Sequence, residues 1–176
     1  MNKYLYQMKK LIALLIVLTL SGCKSSMDQQ TISKTNINST LDAWHKAAAD
    51  ANYNAYFALM ADDAVFIGTD ATENWNKKAF QVWAKPFFDK GKAWSFTALE
   101  RHIYFDETGK TAWFDELLDT QMKICRGSGV LVKIGKEWKI KHYVLSMTIP
   151  NDNLNEVIKV KASLEDAMIK TLKSKQ

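Results

Sequence analysis

Glu116, Arg126, His142 and Ser146 sit in stretches where apolar residues alternate with others, the pattern of half-buried strands. In the last such stretch Lys139 and Lys141 claim one parity for water, which sends Trp138, Ile140, His142, Val144 and Ser146 inward. In the stretch before it, Lys123 and Lys133 share a parity with Cys125, Gly127 and Gly129. The opposite parity (Ile124, Arg126, Ser128, Val130, Val132, Ile134) is mostly apolar and carries Arg126 inward. A buried guanidinium needs a counter-charge. Glu116, on the parity of Ala112, Phe114 and Leu118, is the expected partner, with Asp115 the alternative if the register differs. The reading is therefore an inward polar group of Glu116, Arg126, His142 and Ser146 between Trp and Phe walls. Two kinds of chemistry suit it. Arg126 fixes an acidic group of a ligand, or only neutralises Glu116 as a structural ion pair. Alternatively Glu116 or His142 is a base toward a carbon acid, and Tyr143 or Arg126 donates to the enolate oxygen. A carboxylate already paired with arginine stays ionised and is a weak base. Glu73 and Trp75 stand just ahead of a helix, as pocket rim or as helix-entry cap and lid. Cys125 is expected on the outer face, where a nucleophile has no use. His45 and His102 stand apart from other ligating residues, and no His, Cys or carboxylate spacing matches a metal site. No Gly-rich loop precedes a helix, so neither a metal nor a cofactor is expected.

The elements that must position these residues follow from periodicity. Residues 41–51 carry Leu41, Trp44, Ala47, Ala48 and Ala51 at helical spacing, with Ser39 or Thr40 as cap. A short helix is expected over 53–60 and a short strand over 64–67, closed by Gly68. Asn76 caps a further helix reaching Phe88, limited by Pro86. From Trp94 the period becomes two, and four consecutive strands are expected over 94–105, 111–120, 122–134 and 137–147. Their connections at Gly109 and Gly135 suit tight hairpins, and Gly127-Ser128-Gly129 reads as a bend or bulge within a strand. Helices followed by hairpins give an α+β fold, a curved antiparallel sheet wrapped on the N-terminal helices. After Pro150 a last helix, 153–173, places Leu154, Val157, Lys161, Leu164, Met168 and Thr171 at heptad spacing. Two polar members argue against a sustained coiled coil and for one face packed on the domain or on a partner.

The 176 residues suffice for one domain, and their 47% hydrophobic and 24% charged content excludes a disordered or polytopic membrane chain. Lys9 and Lys10 precede the ten uncharged residues 11–20, and then Ser21, Gly22 and Cys23. Ten residues rise only about 15 Å as a helix, half a bilayer core, so the segment reads as a secretory signal and not a span. An ordinary signal cut near Gly22 and an N-terminal buried helix are the plainer alternatives. Translation starts at Met1 or Met8. Residues 1–22 are then the signal, 23–37 a polar flexible tether, 38–150 the domain and 151–176 the C-terminal amphipathic helix. Lys3, Lys9 and Lys10 leave with the signal, so the mature chain has 21 basic against 19 acidic residues, a net of +2. No basic cluster remains for nucleic acid. If Cys23 is modified, Cys125 has no disulfide partner.

Leu20-Ser21-Gly22-Cys23 resembles the bacterial lipobox. That resemblance implies a lipidated Cys23, palmitate-type acylation and anchoring in the cell envelope, at the outer membrane of a two-membrane cell because Lys24 and not Asp follows. Several later segments resemble the SnoaL-like branch of the nuclear transport factor 2-like superfamily over residues 38–150. They are Leu59-Met60-Ala61-Asp62-Asp63-Ala64-Val65-Phe66, Gly68-Thr69-Asp70 with Glu73-Asn74-Trp75, Thr111-Ala112-Trp113-Phe114-Asp115-Glu116, Arg126-Gly127-Ser128-Gly129-Val130-Leu131 and Trp138-Lys139-Ile140-Lys141-His142-Tyr143. The resemblance implies a cone-shaped α+β fold that hosts isomerases, cyclases, dehydratases and non-catalytic binding modules. The Asp base and Tyr–Asp donor pair of ketosteroid isomerase have no residue-by-residue counterparts here. Three functions stand as expectations: a lipid-anchored module binding a small, partly apolar ligand, which can be acidic, through Arg126, Glu116, His142, Ser146, Trp75 and Glu73; an isomerase- or cyclase-type enzyme with Glu116 or His142 as base; and a subunit-assembly module. A homodimer through the outer sheet face, where Trp113 and Leu117 share a parity, is expected with the first.

Overall fold

The computed structural model describes residues 30–175; the signal segment, Cys23 and the first part of the tether lie outside the described residues. Residues 30–49 form α1. The helix therefore occupies positions expected to be flexible tether, and passes through Ser39 and Thr40 instead of starting there. Ile37 extends the Leu41–Trp44–Ala48 stripe by one turn, and all four are buried. The Thr35 and Thr40 hydroxyls donate to the carbonyls of Thr31 and Asn36, four residues back, so they serve mid-helix and not as caps. Next come α2 (Tyr53–Ala58), β1 (Met60–Ile67), β2 (Asn74–Asn76) and α3 (Lys77–Asp89). Asn76 caps α3 as expected, its side chain accepting from the Ala79 amide at 2.9 Å.

The strands β3 (Thr97–Phe105), β4 (Thr111–Thr120), β5 (Lys123–Ile134) and β6 (Glu137–Met147) form successive hairpins. Gly109 (φ 64°) and Gly135 (φ 62°) supply the left-handed turn residues. The six-stranded sheet has the order β2-β1-β6-β5-β4-β3, antiparallel except for the β1–β6 pair. This is the expected α+β architecture, with helices against one face of a curved sheet. The covered interior is largely filled by aromatic rings: Trp44 stacks on Tyr56 (4.9 Å), Phe66 on Phe80 (4.1 Å), and Tyr143 meets Trp44 edge-on (4.8 Å).

Register decides which residues enter that interior, and two strands differ from expectation. In β5 the inward parity is Cys125, Gly127, Gly129 and Leu131, while Arg126 points to solvent. Cys125 is thus fully buried, not on the outer face. In β6 Lys141 is an extra residue, since Val130 pairs with His142 but Leu131 with Ile140. Such a bulge reverses side-chain parity beyond it. Trp138 and Ile140 point inward as expected; past the bulge Tyr143 and Leu145 do so, and His142, Val144 and Ser146 lie on the outer face. Gly127-Ser128-Gly129 stays in the ladder without bend or bulge. The chain ends in a 3-10 turn, Asn151–Asn153, and α4 (Leu154–Lys173), which has no buried residue and adds nothing to the core.

Candidate functional site

Within α1, Asn38, Asp42 and His45 recur at helical spacing along a strip beside the apolar stripe. In the sheet Arg101 of β3 stands directly opposite Glu116 of β4. Closing the helix on the sheet brings these five together. His45 Nε2 lies 2.8 Å from Glu116 Oε1, and the Arg101 guanidinium donates to Oε2 at 2.8 Å. Arg101 also donates to Asp42 (2.8 Å) and to the Asn38 side chain (3.1 Å), and the Tyr143 hydroxyl donates to Glu116 at 3.3 Å. Glu116 faces Gly127 on β5, where a Cβ would strike the Tyr143 hydroxyl and the Glu116 side chain. Only glycine leaves room for the carboxylate there. Burial alone would raise the Glu116 carboxyl, but hydrogen bonds and charges from His45 and Arg101 outweigh it and hold the group below its ordinary range. Burial, together with the Glu116 charge, pushes the Tyr143 phenol up.

Glu116 is therefore inward as expected, but its guanidinium comes from Arg101. Arg126 is half-exposed on the opposite sheet face beside Asp115 at 3.3 Å, the alternative partner named for it. His142 is half-buried and Ser146 exposed on that same outer face. The expected cluster of Glu116, Arg126, His142 and Ser146 does not assemble, because the β5 parity and the β6 bulge put three of its members outside. His45, read as isolated, is instead a partner of Glu116. The detectable signal was the Asn38–Asp42–His45 spacing, together with Arg101 on the parity of Ile103.

A cavity of about 140 Å³ opens elsewhere in the cone. Its walls are Trp75, Trp83 and Trp94 with Phe66, Phe80 and Phe96, and Glu73 is its one ionisable lining residue. The Trp75 ring stacks on Phe80 at 5.6 Å and meets Trp83 at a tilt at 4.6 Å, while Phe80 and Trp83 are 5.9 Å apart, so the three rings form one cluster. Glu73 accepts a hydrogen bond from the Asp70 amide at 3.2 Å and sits against Gly68. Of the six expected ligand contacts the structure gathers Glu73 and Trp75 at this cavity; Glu116, Arg126, His142 and Ser146 do not line it. Trp83, Trp94 and Phe96 join it without having been foreseen. Neither candidate base, Glu116 or His142, reaches the cavity. Among the described residues no cluster of His, Cys, Asp and Glu is arranged to hold a metal ion.

A family model described as a SnoaL-like domain matches residues 37–150, against the 38–150 expected. Solved structures of the same fold include an NTF2-like protein of unknown function from Pseudomonas putida, 17% identical, TM-score 0.58, covering 70% of this chain and 92% of that one. Another is an NTF2-like protein from Cytophaga hutchinsonii, 15% identical, TM-score 0.55, with 65% and 98% covered. A third, assigned as a scytalone dehydratase from Novosphingobium aromaticivorans, is 13% identical with a TM-score of 0.59, over 70% and 89% of the two chains. At these identities the likeness is one of fold. Comparison with curated proteins gives no match.

Proposed function

The chain belongs to the SnoaL-like family, and from that premise we propose that it is a lipid-anchored binding module of the bacterial cell envelope. The observation carrying the binding reading is the cavity: six aromatic walls and one carboxylate, with no basic side chain among its lining residues. Its volume of about 140 Å³ suits one benzene-sized group; an apolar cavity of about 150 Å³ is known to hold benzene. The ligand is therefore small, presents a ring or branched apolar group, and is neutral or cationic. An acid would meet Glu73 and no counter-ion, so the expectation of an acidic ligand is replaced. Benzylamine, benzyl alcohol and benzoate offer one ring with three charges. Calorimetry should detect the amine and the alcohol and not the carboxylate. Glu73→Gln should erase the preference for the amine. Benzoate binding as tightly as the alcohol would refute the charge assignment, and binding of none of the three would refute the cavity as a ligand site.

Anchoring rests on Lys9-Lys10, the apolar run and the Leu20-Ser21-Gly22-Cys23 tetrad. Incorporation of a fatty-acid probe should vanish in Cys23→Ala. Equal labelling of the two proteins would end the anchoring reading and leave the cavity untouched.

A further inference from the structure

Helix α4 runs for 20 residues with none of them buried, and among the described residues no hydrogen bond or ion pair ties its side chains to α1–α3 or to the sheet. Its apolar side chains nevertheless form one stripe, and a helix of this composition gains stability by covering such a stripe. Leu154, Ile158, Lys161, Glu165, Met168 and Leu172 recur at alternating spacings of four and three, the seam of a two-helix contact. Along the seam the chemistry reads apolar, apolar, cation, anion, apolar, apolar, symmetric about residue 163 except that charge reverses across the centre. Lys161 and Glu165 are ion-paired within the helix at 2.8 Å and mark that centre.

We propose that α4 pairs antiparallel with α4 of a second copy, about a two-fold axis at residue 163. The layers are then Leu154 against Leu172, Ile158 against Met168 and Lys161 against Glu165, each occurring twice, as a two-fold contact requires. Leu164, which is 79% exposed, flanks the axis and meets its own symmetry mate. Charge selects this arrangement over the others. Parallel pairing in register sets Lys161 against Lys161 and Glu165 against Glu165. Sliding the antiparallel pair by one heptad sets Lys161 and Glu165 against Leu172 and Met168 in one direction, or against Ile158 and Leu154 in the other. A polar layer inside an apolar seam fixes register and orientation in this way, at some cost in stability. The same two residues oppose a membrane as the occupant. They lie at the middle of the apolar stripe, where acyl chains would strip water from both, and the polar face mixes Glu156 and Asp166 with Lys159 and Lys170 instead of being basic.

The test uses the full chain carrying Cys23→Ser, with buried Cys125 left in place, and single thiols introduced at Leu154→Cys or Leu172→Cys. On mild oxidation the mixture of the two variants should form a mixed disulfide about tenfold faster than either variant forms its own dimer, the factor given by 1.4 kcal/mol of preference. Adding Lys161→Glu or Glu165→Lys to both partners should abolish the mixed disulfide, and the double exchange should restore it. Self-linking of Leu154→Cys would show parallel pairing and overturn the proposal. So would the absence of any cross-link, or a cross-link indifferent to the charge reversals. Capture of the helix by lipid vesicles without the mixed disulfide would give the face to a membrane and overturn it equally.

Discussion

Replacing Glu116 by Gln keeps the side chain's shape and removes the charge that Arg101 and His45 enclose. Glu116 is fully buried, and the side chains of His45 and Arg101 are only 5% and 7% exposed, so none of the three recovers water when the pair breaks. An exposed ion pair contributes at most about 1 kcal/mol, whereas stripping one partner from a buried pair costs about 3–5. Asp42 remains beside Arg101 but is exposed, which puts Glu116→Gln at the lower end, about 3 kcal/mol of a total near 5–15. At about 2–4 °C per kcal/mol, the melting temperature should fall by roughly 6–12 °C.

The effect has a defined pH dependence. The folded carboxyl titrates below the ordinary value of about 4.3 that it regains on unfolding. Its stabilisation is thus complete above that ordinary value and fades as pH falls through the lowered folded one. Urea unfolding of wild type and Glu116→Gln from neutral to acid pH should show two stability curves that converge below about pH 4. A double-mutant cycle locates the partner. Arg101→Met with Glu116→Gln should couple by about 1–3 kcal/mol, and Arg126→Met with Glu116→Gln should add within about 0.5. Coupling to Arg126 instead of Arg101, or a gap that widens in acid, would refute the arrangement.

Three further outcomes follow from particular contacts. Gly127→Ala should cost about 1–3 kcal/mol by overpacking against Tyr143 and Glu116, measured in urea, whereas Gly109→Ala should cost about 1 from its left-handed backbone alone. On the outer sheet face Trp113 and Tyr104 stack at 6.0 Å, both nearly half exposed, and with α4 removed by deleting residues 151–176, sedimentation at tens of micromolar should still show a dimer, which Trp113→Asp reduces to monomer. Deleting residues 151–176 should leave chemical stability within about 0.5 kcal/mol of wild type, because α4 buries nothing in the domain.

Hairpin strands were legible because alternation and turn glycines act locally. The stretches 111–120 and 137–147 match β4 and β6 at both ends. Parity was harder to read. In β5 the inward residues Cys125, Gly127 and Gly129 are small, and the two glycines are required because Glu116 and Phe114 of the neighbouring strand occupy the space over them. A hydrophobicity pattern therefore favours the wrong face. In β6 the alternation places Trp138 and Ile140 correctly and points the wrong way beyond them, because one extra residue at Lys141 has no signature of its own in a run of alternating lysines and aliphatics. The Glu116 node was half visible. Its carboxylate follows from the parity of β4, but Arg101 lies on the edge strand β3, where only Ile103 of nine residues is buried and the inward side is faintly marked. Nothing in the sequence marks residues 30–37 as helix, because Ile37 and Ser33, both buried, add only one apolar residue to a polar stretch.

Node and cavity share one wall. The Phe96 ring lies 5.9 Å from His45 on one side and lines the cavity on the other, so it separates the buried charges from the opening. It is half-buried, and its loss should cost only about 1–2 kcal/mol of burial. That is small enough for Phe96→Ala to fold while the partition disappears. The cavity then extends toward His45, and solvent reaches an imidazole that is 5% exposed in the intact protein. Diethylpyrocarbonate reports this directly. Wild-type His45 should react far more slowly than half-exposed His102, which serves as the internal standard, and in Phe96→Ala the two rates should approach each other. Benzyl alcohol should bind more weakly to the variant, since one of six aromatic walls is gone. If His45 reacts as fast in wild type as in the variant, the node is already open to the cavity. Glu116 would then face any bound ligand, and the separation of structural charge from binding surface would fail.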